Sequence, residues 1–208
     1  MNVESGSEFE VLHALRVKGL AREQVLAALS GVPTQQLAQV CAPLVESGLV
    51  LRRAGAMAGY MLTAAGKQRA QELLAADPAT IAGRPALAAF DVEFLPGNTD
   101  FKQLCHRWQV RPDGTPNDHA DAAYDDAVVA DLAAFHDGFV PTLDRIAGAL
   151  PRFGRYAPRL TAALGRLQGG DAGAFARPLY DSYHDIWMEL HNDVVLSLGR
   201  TRGAADEH

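Results

Sequence analysis

A chain of 208 residues has room for one large or two modest domains, each with its own core; 48% hydrophobic and 21% charged residues exclude extended disorder. No apolar run approaches the ~20 residues that span a bilayer, and the amino terminus lacks a basic-then-apolar signal, so a cytoplasmic protein is expected. The net charge of −6 is uneven: residues 1–78 hold seven Lys/Arg and seven Asp/Glu, leaving twelve and eighteen to residues 79–208, which disfavours a general nucleic-acid coat protein and permits DNA binding only through a local patch.

Met1 to Ser7 reads as a frayed lead-in. Glu8 to Val17, with Phe9, Val11, Leu12, Leu15 and Val17, predicts a first helix, and Leu20 to Leu29 a second. His13 lies near no second metal-type residue in sequence and is expected to be structural. Ser30-Gly31 breaks the chain. Pro33 to Glu46 follows as a short amphipathic helix, stopped at Ser47-Gly48 where glycine can take a left-handed cap. Leu49-Val50-Leu51 and Tyr60-Met61-Leu62 read as two short strands around a small, turn-like segment, and Thr63 opens another helix.

The ESGLV exit (Glu46 to Val50) paired with the LTAAGK entry (Leu62 to Lys67) resembles the winged-helix DNA-binding domains of the MarR type. The resemblance covers about the first third of the chain. It implies that the helix from Pro33 to Glu46 enters the major groove, that the hairpin from Leu51 to Tyr60 reaches the backbone or minor groove, and that the protein works as a homodimer on double-stranded DNA. The residues matched to those roles are Thr34, Gln35, Gln36 and Gln39 on the helix and Arg52, Arg53 and Lys67 around the wing. The helix carries no lysine or arginine; Gln reads adenine edges, and phosphate attraction must come from Arg52, Arg53, Lys67 and Arg69.

Asp77-Pro78 closes the following helix, and residues 79–92, with Gly83 and Pro85, read as a linker into a short helix. The expected domains are 1–78 and 93–208. Asp100 to Val110 predicts a helix with Phe101, Leu104, Cys105 and Trp108 on one face, then a turn-rich loop to Pro116. Asn117, Asp118, His119, Asp121, Asp125 and Asp126 have metal-ligand chemistry, but Asn117-Asp118 also suits the cap of a helix near Ala120, and capping is preferred: no metal or cofactor is expected. Asp125 to Ala149 is a long helical pattern that Pro141 kinks or splits. Arg152, Arg155, Arg159 and Arg166 stripe the next helix, where they either pair with the acids of Asp118 to Asp131 or face solvent, the sharper alternatives being a phosphate or carboxylate pocket or a second contact to the DNA backbone. The last helix presents Tyr183, His184, Trp187 and His191 on a broad aromatic face; the two histidines are ~10 Å apart along the axis, too far to share one ion.

The expected fold is mainly α: an N-terminal winged helix-turn-helix of three helices and a small β-hairpin wing, followed by an all-helical C-terminal domain that dimerises. Trp108, Arg155, Tyr183, His184 and Trp187 are the candidate residues for a small-molecule effector. Cys41 and Cys105, far apart and without a CxxC pairing, read as reduced thiols, a redox switch being the alternative. Three other functions compete with a transcriptional regulator. One is a winged-helix adaptor that binds protein. Another is a GntR-type regulator with a metal and carboxylate site, since Asp131 and Phe135-His136 are similar to part of that pattern. An enzyme is disfavoured, because no nucleophile elbow, phosphate loop or zinc motif accompanies the histidines.

Overall fold

The computed structural model describes residues 3–200, apart from the side chains of residues 3–5 and of Ala56. The chain is mainly helical, with one small antiparallel sheet among the described residues, of strand order β1-β3-β2. No helix among the described residues is long and apolar enough to cross a membrane. The chain forms two compact units, Met1–Arg84 with His191–His208, and Pro85–Leu190.

In the first unit the order is α1 (Val3–Lys18), β1 (Leu20–Ala21), α2 (Glu23–Ser30), α3 (Thr34–Glu46), β2 (Val50–Arg53), β3 (Gly59–Leu62) and α4 (Ala64–Ala76). Met1 and Asn2 of the expected lead-in lie outside the described residues; the rest of it is already the first turns of α1. Val11, Leu12, Ala14, Leu15 and Val17 are all buried, and α1 packs against α2, α3 and α4. Leu20 and Ala21, expected inside a helix, form the third strand of the sheet: Gly19 at φ 84° turns the chain, and Leu20 and Ala21 pair with Met61 and Tyr60. Residues 191–200, expected in the second domain, complete this core. His13 Nε2 lies 2.8 Å from Asp193 Oδ1, which also accepts from the Ser197 hydroxyl at 2.9 Å, and the Asn192 amide donates to the Val17 carbonyl.

Residues 79–92, expected as a linker into a short helix, are helical throughout: they belong to α5 (Pro78–Gln109), a 32-residue helix containing Pro85 and Pro96, and the division between the two units, at Arg84 and Pro85, falls within them. Asp77 caps it, accepting from the Thr80 amide and hydroxyl, and Pro78 occupies the first turn, where its missing N–H costs nothing. Inside the helix each proline removes one hydrogen bond. Burial of Leu87, Phe90, Phe94, Phe101, Leu104 and Trp108, spaced in threes, fours and sevens, outweighs those losses.

The second unit holds most of α5, then α6 (Ala122–Ala149), α7 (Tyr156–Gln168), the single turn α8 (Gly173–Ala176) and the first half of α9 (Tyr183–Ser197). Helix α6 is not split at Pro141. Its cap is Asp121, which accepts from the Tyr124 amide; Asn117 instead is buried and donates to the Trp108 carbonyl and Asp125. The unit's centre is aromatic: Trp187 lies within 5.2 Å, centroid to centroid, of Phe94, Phe101, Phe135 and Phe139. The Trp187 indole donates to Asn98 Oδ1 at 2.9 Å.

Candidate nucleic-acid interface

The ESGLV and LTAAGK segments meet in space, and their residue types follow from the contact. Gly48 ends α3 in the left-handed region at φ 73°, which lets the Leu49 amide return to the Leu44 carbonyl. The Thr63 hydroxyl donates to the Gly48 carbonyl at 2.7 Å and accepts from the Gly66 amide at 3.0 Å, so one side chain joins the exit of α3 to the cap of α4. Gly66 sits so close to the strand entry that a Cβ there would lie 2.0 Å from the Leu49 carbonyl oxygen. The junction fixes where β2 leaves α3 and where β3 returns.

From that junction, α3 and the hairpin project their polar residues outward. Leu37, Cys41 and Leu44 bury one side of α3, and Thr34, Gln35, Gln36 and Gln39 are all exposed. Pro33 precedes the helix in an extended conformation rather than lying in its first turn. In the hairpin, Arg52 pairs with Tyr60 and Arg53 with Gly59, and both arginines are exposed. The Arg52 guanidinium is 3.8 Å from Glu23 and 5.9 Å from the centre of the Tyr60 ring, while the Tyr60 hydroxyl donates to Glu23 at 3.5 Å. At these exposures the Arg52–Glu23 pair is weak, and a phosphate can compete for the cation. Burial, more than Glu23, raises the Tyr60 hydroxyl above its ordinary pKa.

Arg22 joins Arg52 and Arg53 around a cleft of about 360 Å³ that also includes Glu23 and Gln24. Its contribution was not legible in sequence, because only the unforeseen β1 places the start of α2 beside the hairpin. Lys67 is exposed on α4. Arg69 is not available as expected: its Nε is held by Glu8 at 2.9 Å. Val45, Leu51 and Met57 are exposed apolar residues on the same helix and hairpin.

The five effector candidates do not share one opening. Tyr183, His184 and Trp187 share the Phe101 ring, and Tyr183 and Trp187 are fully buried. Trp108 stacks on Phe175 at 4.5 Å and 3°, with His119 on its other contact. Arg155 lies in the short 3-10 turn before α7. None of the five lines the cleft beside the hairpin or the larger one in the first unit. Two of the arginine stripe find other acids than those of Asp118 to Asp131: Arg159 bonds Glu189 at 2.6 Å and also Asp181, and Arg166 reaches Asp171.

Asp131 is held by Arg107 at 2.7 Å, and His136 stands between the Tyr183 and Thr161 hydroxyls. His119 contacts Asp125 at 2.9 Å and the Asn117 amide at 3.3 Å. Among the described residues no three His, Cys, Asp or Glu side chains converge in a way that could hold a metal ion. Burial pushes the Cys41 thiol up to about 11 and that of Cys105 to about 12, so both stay protonated and poorly nucleophilic near neutral pH. No protein family, curated protein or solved structure matches this chain.

Proposed function

We propose that the first unit is a winged helix-turn-helix of the kind found in MarR-type regulators, and that the protein is a homodimeric transcriptional regulator bound to double-stranded DNA. The observation that carries this reading is the joint exposure of Thr34, Gln35, Gln36 and Gln39 on α3 with Arg52 and Arg53 on the adjoining hairpin. Glutamine amides in a major groove take adenine edges, and the hairpin arginines, with Arg22 and Lys67, supply the phosphate contacts. The second unit serves dimerisation and effector response, the effector acting through unequal affinity for two conformations.

Binding of the purified protein to duplex fragments of its own upstream DNA, followed by fluorescence anisotropy at two salt concentrations, tests the proposal. Sequence-selective binding that weakens steeply with salt is expected. A folded protein that binds no duplex at low salt sinks it. A second reading, an adaptor that uses α3 and the hairpin to bind protein, is favoured by the exposed Val45, Leu51 and Met57 and by the absence of any basic residue from α3. It predicts a partner held through these apolar side chains with little salt dependence.

A further inference from the structure

A second opening in the first unit has a different character from the cleft beside the hairpin. It encloses about 470 Å³ between α1, α4, the start of α5 and the end of α9, within the roughly 300–1,000 Å³ usual for small-molecule sites. Ala70, Leu74, Val195 and Leu196 give it apolar walls. Among the described residues its charged lining residues are the arginines Arg16, Arg84 and Arg200, with no Asp or Glu.

Elsewhere Arg69, Arg107, Arg111, Arg145 and Arg159 each have a carboxylate within ion-pair distance, as the surplus of acids allows. Arg16 and Arg84 have none among the described residues. Arg16 and Arg84, on one opening with apolar walls, give it a positive potential that favours an anion. A carboxylate is the natural counterpart, since its two oxygens accept parallel N–H bonds from one guanidinium and leave lone pairs for a second. The walls require the rest of the ligand to be apolar, which an inorganic anion is not.

We propose that this cleft binds a small organic carboxylate with an apolar body, its head held by Arg16 and Arg84 and its body against Leu74 and Val195. The site shares no residue with α3 or the hairpin, so it stands or falls independently of DNA binding.

Isothermal titration of the full chain, without DNA, with decanoate, decanol and inorganic phosphate tests the proposal. Decanoate is expected to bind saturably at one site, with decanol and phosphate each at least tenfold weaker. In the double variant Arg16→Gln, Arg84→Gln the decanoate affinity should fall at least tenfold. Ala75→Trp, an exposed position on the cleft wall where a large side chain costs the core little, should abolish binding by filling the space; it decides the matter if the double variant does not fold. Absence of decanoate binding at millimolar concentration overturns the proposal. So does decanol or phosphate binding as tightly as decanoate, or decanoate binding left unchanged by Ala75→Trp.

Discussion

The polar face of α3 and the aromatic face of α9 are both dense in side chains that carry chemistry, and the structure treats them oppositely. Thr34, Gln35, Gln36 and Gln39 stand exposed to solvent, whereas Tyr183 and Trp187 are consumed in packing against Phe94, Phe101, Phe135 and Phe139. Glutamine loses little by facing water; an indole or a phenol gains most by leaving it. A rich aromatic helix is therefore core unless a cavity opens onto it, and a run of amides on an exposed helix face is surface held ready for something else.

Trp187→Ala attacks the buried half of that contrast and should have the largest effect. It empties the centre of the second unit and strands the Asn98 oxygen, at a cost of about 3–5 kcal/mol. Urea denaturation measures it, and a loss under about 1 kcal/mol would mean that Trp187 faces a site instead of a core. Gly66→Ala comes next. The added methyl cannot coexist with the Leu49 carbonyl at 2.0 Å, so α4 and the strand entry must part, costing about 1–3 kcal/mol in the first unit. An unchanged Tm would refute the close approach.

Acid should act on the second unit more gently. Burial holds His136 and His184 below the usual histidine pKa, so the native chain resists protons that the unfolded chain accepts below about pH 6.5. The stability these groups confer is complete above that pH and is lost as the pH falls toward their lowered folded values. Denaturation midpoints measured at pH 7.5 and pH 5 should differ, and His136→Gln should shrink the difference; an equal slope in the variant would remove His136 from the account. The smallest stability effects belong to the exposed half. Gln35→Ala with Gln36→Ala should leave stability within about 0.5 kcal/mol while changing which duplex is preferred. Arg52→Ala with Arg53→Ala should weaken binding to all duplexes alike and flatten its salt dependence by about one unit of slope per arginine. If the paired glutamine substitutions leave selectivity untouched, α3 is not the reading helix.

The legibility of the chain follows the range of the forces involved. Local signals were plain: the left-handed turn at Gly48, the cap at Thr63 and the stop at Asp77 each depend on a few neighbouring residues, and each is where the pattern placed it. Burial supplied from a distance was not legible. Gly83 and Pro85 look like breaks, yet α5 runs through them because Leu87 is buried and Phe90 packs on Phe139 and Phe153, far along the chain. Strand β1 is two residues long and has no periodicity; only its pairing with Met61 and Tyr60 makes it a strand. The exposed polar residues of α3 were legible because surface position follows from helix period alone. The paired and unpaired arginines were not, since the partners of Arg69 and Arg159 lie far away in sequence.

One feature of the first unit bears on how the protein is born. His13 meets its buried partner Asp193 across nearly the whole length of the chain, and Val194 and Val195 close the same core. A ribosome delivers α1 through α4 early, but the unit they build stays open until residues 191–200 have followed the entire second unit out. The amino-terminal unit is thus the last to be finished, so a chain that stalls or is cut after Leu190 carries every residue of the proposed reading head and cannot close its core.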